Sequence, residues 1–501
     1  MKDDAILAVD IGTSSVRVMV FDISGDVLAK SRLSYGVLMP KQGFEEQDPT
    51  MLFQKVMEAI ERCLTDVTEE NRSRIRGICF SSQMYGIFAV DQSGKVLSNN
   101  ILWSDSRAAV EEIELKEKLG AECLTKTTGC PVSAMYPLAK LLWMKNHQPE
   151  IFTSAYKFIS IKDLIVHTLT GRWVADCSMA SATGFLDIAR HCWAEKALAM
   201  ISLSPDKLPE LVMGDRQLPF TDAVLCRKWG LPADVVVIPG GGDGPLANIG
   251  SGAWEVGDIN IDLGTSGAIR VMMDHASERE KTGLWCYCLS QDRWLYGGIL
   301  TNVGNAFAWL VEKVMAPCAA KDVDLYALGN ELASRSKAGA SNLFFLPYLR
   351  AARSPYWTNA LKGMLYGLDP AHELGDIIRA MFESIAYDLA AILSSIRNEV
   401  QLKGKVFLTG GLSKSELLAQ ILADVLEMEI QVPQNSEGSI SGAALFGFKA
   451  LGVLDFWSFG RTAECQIFRP EQEKSEIYRL AKQRYNAIVK CDLSLGEDMW
   501  K

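Results

Sequence analysis

One short pattern occurs twice and limits what this chain can become. Asp10-Ile11-Gly12-Thr13-Ser14 follows an apolar run, Ile6 to Val9, and leads into a second one, Val16 to Phe21. About 250 residues later Asp262-Leu263-Gly264-Thr265-Ser266 follows Ile259 to Ile261 and leads into Ile269 to Met273. Each copy reads as a buried strand, a Gly-Thr-Ser turn and a second strand. The glycine allows the backbone to turn tightly and to approach a ligand. The hydroxyls of Thr13, Ser14 and Ser15, with the turn's N–H groups, can ring an anion. Asp10, at a strand end, is placed to hold a metal ion through water, and Arg17 can fork onto a phosphate. Alone, either copy is ordinary hairpin chemistry. Two copies, one per half, predict two similar domains facing each other across a phosphate site.

At 501 residues the chain can bury two large cores. Its formal net charge is −10, and it carries no basic stripe of the kind a nucleic-acid binder needs. No signal peptide and no transmembrane run are expected, because the first apolar run is broken by Asp10. Twelve scattered cysteines lack zinc spacing and read as free thiols of a reducing, cytoplasmic setting.

Between the hairpins the chain alternates strands and helices. Asp48 is a plausible N-cap with Pro49 behind it, and Phe53, Val56, Met57, Ile60 and Leu64 share one helical face. Ile75 to Phe80 predicts a strand that delivers Gln83, Met84 and Tyr85 to a ligand rim, where turn capping is the plainer alternative. Trp103, Asp105 and Arg107 could floor a sugar pocket or make a surface ion pair beside a core tryptophan. Helices are expected at Pro137 to His147, where leucines alternate with Lys140 and Lys145, at Lys162 to Leu169, and at Trp193 to Ile201. A loop is expected from Ser178 to Gly184. Val235 to Pro239 reads as a strand, followed by a glycine-rich turn with one carboxylate, Asp243, and a helix from Leu246 to Gly252. Four glycines leave that carboxylate uncrowded.

The second half repeats the plan. Strands at 257–263, 269–273, 284–289 and 294–298 precede a helix at Gly304 to Val314 and a long one at Leu374 to Arg397. Lys405 to Thr409 opens on Gly410-Gly411, and a helix from Ser415 to Leu426 presents its N-terminus to a nucleotide. The small-residue segment Ser439 to Gly447 predicts a helix that packs closely on another element, and a last helix covers Ser475 to Lys490.

The paired hairpins resemble those of the actin–hexokinase–Hsp70 superfamily. Two longer stretches, Met135 to His147 and Gly363 to Leu368 continuing through Asp376 to Glu383, resemble the signatures of the FGGY carbohydrate kinases. The resemblance covers nearly the whole chain. It implies an α/β protein of two ribonuclease-H-like domains with a cleft between them. Residues 1–245 would bind sugar and carry the first phosphate hairpin. Residues 246–501 would bind nucleotide and carry the second.

It also implies roles. Asp243 matches the catalytic base, and Asp10 would hold Mg²⁺ with ATP. Thr13, Ser14 and Arg17 would contact the transferring phosphoryl group. Thr265 and Ser266 would hold the phosphates from the other domain, and Gly304, Gly411 and Ser415 would line the nucleotide site. Gln83, Met84, Tyr85, Trp103 and Asp105 would contact the sugar. Gln83 to Gly86 lacks the Arg-Glu pair of glycerol kinases, and Met84-Tyr85 differs from the Met-His of xylulokinases. Gly43 to Pro49, Leu102 to Arg107, Trp285 to Leu289 and Phe344 to Leu349 look most like gluconokinases. D-Gluconate is therefore the expected substrate, with Arg107 and Lys162 as candidates for holding its carboxylate. A pentulose or other polyol kinase is the alternative, and a non-catalytic sugar sensor is a reading of another class. Where many relatives read Gly-Glu-Arg-Ala-Pro, this chain has Ala351-Ala352-Arg353-Ser354-Pro355. The expected partner is a small sugar or sugar acid, with no nucleic acid and no membrane, and a homodimer is expected from relatives.

Overall fold

The computed structural model describes residues 4–119, 121–277, 283–318, 323–402, 404–434, 438–454 and 464–499. Two mixed sheets organise it. The first runs Leu218–Pro219, Val236–Gly242, Ile75–Ser82, Ala5–Ile11, Ser15–Asp22, Val27–Ser34. The second runs Trp285–Ser290, Arg293–Leu300, Gly267–Met273, Ile259–Leu263, Val406–Thr409, Ile430–Pro433, Cys465–Phe468. The two share one logic. Ala5–Ile11 pairs antiparallel with Ser15–Asp22 and parallel with Ile75–Ser82. Ile259–Leu263 pairs antiparallel with Gly267–Met273 and parallel with Val406–Thr409. Each turn is closed by its glycine, but the second is one residue shorter: Gly12 N–H donates to Ser15 O at 3.0 Å, and Gly264 N–H to Ser266 O at 2.9 Å. This is the two-domain ribonuclease-H-like plan, with each hairpin turn at the end of its domain's central strand.

The strand Ala5–Ile11 is buried on both faces, as its unbroken apolar run requires. Leu7 and Val9 join one core with the helix Pro49–Thr65, whose first turn Asp48 caps by accepting from Thr50 and Met51 N–H. Ile6 and Ala8 face the other way, into a core shared with Leu246 and Ile249 and with Ile440, Ala443, Phe446 and Phe448. The helix Ser439–Ala450 thus comes from the end of the chain and covers the first sheet. It meets the helix Asp243–Gly250 backbone to backbone. A Cβ on Gly442 would lie 1.8 Å from Leu246 O, and one on Gly250 2.1 Å from Gly438 O.

Several local expectations need correction. The helix expected from Trp193 starts at Glu195, because Cys192–Trp193 pairs with Leu186–Asp187 and the Trp193 indole donates to Pro209 O. The expected loop after Ser178 holds a short helix, Cys177–Ser181, capped by Asp176. Gly304–Trp309 is α-helical but continues as a π-helix, Leu310–Met315. The helix expected from Leu246 begins at Asp243, so that carboxylate stands on the first helical residue, not in the turn. Lys140, which alternates with the leucines of the helix Pro137–His147, is wholly buried with them. Among the described residues no helix is long and apolar enough to cross a membrane.

Candidate active site

Strand ends bring the polar residues together. Asp10 lies in register with Arg17 on one side and Ser81 on the other. Its Oδ2 accepts Arg17 Nη2 at 2.7 Å and Nε at 3.1 Å, and its Oδ1 accepts Ser81 Oγ–H at 2.6 Å. Arg17 Nη2 also reaches Ser439 Oγ at 3.2 Å, so the first hairpin is tied to the head of the late helix. Gln83 N–H donates to Ile11 O at 2.7 Å, and its side-chain amide donates to Gln47, which donates to Thr13 O. Gln83 Oε1 is buried with no partner among the described residues, an acceptor left open.

A cavity of about 620 Å³ lies between the halves. Thr13, Gln83, Met84, Tyr85, Trp103 and Asp243 line it from the first half. Thr265, Ser266, Arg270, Tyr287 and Arg353 line it from the second. A larger one of about 880 Å³ lies in the second half against Gly264, Gly304 and Gly411, with Trp309 and Tyr326 offering rings. Thr265, Asn305 and Arg350 line both, so the cavities meet at the second hairpin turn. A Cβ on Gly304 would sit 2.4 Å from Gly264 O, which explains the residue there.

Asp243 occupies the cleft wall at the end of the strand Val236–Gly242. Its Oδ1 accepts the Gly244 N–H at 2.7 Å. Burial, and next the negative charge of Asp10, push its carboxyl up to about 7, while Arg270 pulls the other way. The flanking glycines answer to close approach, not only to openness. Gly240 has φ +69°, and its Cβ would fall 1.8 Å from Phe80 O; a Cβ on Gly242 would strike the Met84 sulfur at 2.6 Å.

Tyr85 adopts φ +68°. Its hydroxyl lies 3.2 Å from that of Tyr287, which lies 2.8 Å from that of Tyr136, a run of phenols crossing between the halves. Lys140 Nζ donates to Tyr85 O at 2.8 Å and so braces this backbone. Desolvation holds its ammonium well below the usual lysine range.

Some expected site residues do not reach either cavity. Asp105 turns inward, where its carboxylate accepts from Glu45 N–H and from Arg107 Nε and Nη2. Arg107 lies against the Phe44 and Trp143 rings and pairs with Glu46 as well. Lys162 is buried against Asp176 at 2.6 Å. Neither cation is free to take a substrate carboxylate, and both pairs are buried, not surface pairs as their sequence context suggested. Ser415 caps the helix Glu416–Leu426 by accepting Leu418 N–H and donates to Asn330. Asp10, Ser14 and Arg17 border the hairpin without lining a cavity wall. Sequence reasoning missed Asn305, Arg350 and Arg270 in the walls. Arg270 had a signal, since it is a lone charge inside the apolar run Ile269 to Met273.

Comparison with known proteins agrees with this architecture. The family description "FGGY family of carbohydrate kinases, N-terminal domain" matches residues 5–250, and the C-terminal counterpart matches 259–451. A gluconokinase of Bacillus licheniformis is 31% identical over 95% of this chain and 93% of its own. A xylulose kinase of Staphylococcus xylosus is 27% identical over 92% of this chain and 94% of its own. The crystal structure of gluconate kinase from Lactobacillus acidophilus superposes with a TM-score of 0.91 at 27% identity, covering 98% of both chains.

Proposed function

The chain belongs to the FGGY family of carbohydrate kinases, ATP-dependent sugar phosphotransferases, and on that premise we propose that it transfers the γ-phosphoryl group of ATP to the terminal hydroxyl of D-gluconate. The observation that carries the chemistry is Asp243, a carboxylate raised to about 7 in the wall of a cavity that also presents both hairpins. A carboxylate with that pKa is largely ionised just above neutrality and basic enough to take a hydroxyl proton. It would accept that proton as the sugar oxygen bonds to phosphorus and the bridging oxygen leaves with ADP. The rest is positioning and charge neutralisation. Thr13 and Ser14 from one turn, and Thr265 and Ser266 from the other, would hold the phosphates, with the nucleotide against Gly304 and Gly411. Gln83 Oε1 offers a substrate hydroxyl an acceptor, Trp103 a flat face, and Met84 and Tyr85 the side wall.

Asp10 would hold Mg²⁺ through water, provided Arg17, which now occupies its Oδ2, turns to the phosphate. The described residues hold no ready cluster of three metal-ligating side chains, as suits an ion that arrives mostly ligated by phosphate and water. Bound there, it would supply neutralising charge. Closure of the two walls would exclude water, the competing acceptor.

The sugar-acid reading is supported by similarity to gluconokinases and by arginines in the acceptor cavity. Similarity to xylulose kinases supports a ketopentose instead. ADP release with Mg-ATP across D-gluconate, D-xylulose, L-ribulose, glycerol and erythritol separates them. Preference for gluconate with 6-phosphogluconate as product is expected; preference for a ketopentose refutes the sugar-acid reading and leaves Asp243's role intact.

A further inference from the structure

We infer that Arg270, with Arg353 beside the same cavity, receives the carboxylate of the acceptor, so that this site selects sugar acids over neutral sugars. The inference rests on the sugar-acid reading above and names the residues that enforce it.

Arg270 projects from the strand Gly267–Met273 into the acceptor cavity. Its side chain is only 12% exposed, and its one ion pair among the described residues is a loose 3.8 Å approach to Asp262. Its Nη1 is buried and makes no hydrogen bond. A guanidinium so placed has lost water and keeps only the longer-range attraction of Asp262 and Asp243, with no hydrogen bond at Nη1, which is costly unless an anion completes it. A carboxylate fits that fork with two parallel hydrogen bonds. The backbone is shaped for it: the ideal Cβ of Gly244 would stand 3.2 Å from Arg270 Nε and Nη2, so glycine leaves the fork its room beside Asp243.

The Arg270 Cα is four residues inward from Ser266, about 13 Å along an extended strand, while its fork reaches back beside Gly244 and to 3.8 Å from Asp262 Oδ2; the phosphate-holding N–H groups are in the turn itself. A sugar acid whose terminal hydroxyl meets Asp243 carries its carboxylate at the other end of its chain. Arg353 lines the same cavity over the Trp357 ring, its Nη1 resting on the Met135 sulfur, a weak acceptor. Among the described residues it has no carboxylate partner. Trp285 and Tyr287 stack in the same wall at 4.2 Å and give it an apolar side, which strengthens a charge pair formed against it.

The test compares kcat/KM for D-gluconate with that for D-gluconamide, its neutral amide, in wild type and in Arg270→Met, Arg270→Lys and Arg353→Met. Wild type is expected to favour gluconate at least about 30-fold, the loss typical of removing one partner of a buried charge pair. Arg270→Met should bring the ratio below about threefold, and Arg270→Lys should restore part of it because charge remains while the fork is lost. A general packing defect would slow both acceptors and leave the ratio unmoved. A ratio unchanged in Arg270→Met overturns the inference and leaves the gluconate reading standing, and so does a ratio that collapses only in Arg353→Met. Should Arg270→Met not fold, a wild-type ratio near one, or Arg270→Lys indistinguishable from wild type, overturns it. Preference of wild type for a neutral sugar in the panel overturns both.

Discussion

Gly442→Ala should damage catalysis without touching a ligand. The added methyl would lie 1.8 Å from Leu246 O, 2.6 Å from Leu246 C and 3.1 Å from Gly250 N, all backbone atoms that no rotamer change can move. A carbon and a carbonyl oxygen settle at about 3.3 Å, so the two helices must part by roughly 1.5 Å. Overpacking of this kind costs about 1–3 kcal/mol of stability. Leu246 is three residues from Asp243 on the same helix, so the displacement is passed to that carboxylate. A misplacement of about 1 Å costs on the order of 100-fold in rate. The assay is steady-state kinetics beside urea unfolding. We expect kcat to fall roughly 100-fold, a lower unfolding midpoint, and KM for ATP within about twofold of wild type, since Gly264, Gly304 and Gly411 stand elsewhere. Wild-type kcat in a folded Gly442→Ala protein would refute the argument that this helix contact sets the position of Asp243.

Asp243→Asn should lower kcat about 10²–10⁴-fold, and the wild-type rise of kcat/KM with a midpoint near pH 7 should disappear, because the base is active only when ionised and its carboxyl is raised to about 7; a retained rise would assign that limb to another group. Lys140→Met should change the pH dependence of stability. Desolvation lowers the Lys140 pKa in the fold, so between its folded and unfolded values the unfolded chain binds more protons and this group's contribution rises with pH. Urea unfolding of wild type minus variant should grow from neutral to alkaline pH, and a flat difference would show the lysine to be charged in place. Ser415→Ala should lose about 1 kcal/mol through its cap and leave KM for ATP within twofold; a large rise in KM would return Ser415 to the nucleotide wall.

Strand positions and the two hairpins were legible because they depend on local signals, whereas the order of strands within each sheet was not. Apolar runs ending in Asp-x-Gly-Thr-Ser specify a buried strand and a tight turn, and Asp48-Pro49 announces a helix whatever lies around it. Asp243 stood out as the one carboxylate in a glycine-rich turn, although Gly240 and Gly242 themselves answer to close approach by Phe80 and Met84. What failed depended on tertiary partners. Arg107 and Lys162 carry charge in a promising context, yet each finds a buried counter-charge from another segment, Glu46 and Asp176, which no local pattern announces, and Asp105 turns inward with Arg107. Trp193 was assigned by helical spacing, but its indole is claimed by Pro209 O. Arg270 did carry a signal, a lone charge inside the apolar run Ile269 to Met273, but its weak pairing, a single 3.8 Å approach to Asp262, is visible only in the structure.

The late helix carries a consequence for synthesis. Gly447 lies so close to Ile6 and Cys79 that a Cβ there would be 2.8 Å from Ile6 Cδ1 and 3.0 Å from Cys79 Cβ. The face of the first sheet formed by Ile6, Ala8 and Cys79 is covered by the last fifth of the chain. The sheet is complete once Val236–Gly242 is made, and at about 5–20 residues per second the roughly 200 residues from there to the late helix take on the order of 10–40 s. For that time the first half has only its own Leu246 and Ile249 on that face, without Ile440, Ala443, Phe446 and Phe448. Domain-by-domain folding on the ribosome is thus interrupted here, and the chain depends on whatever shields that face until residue 450 emerges.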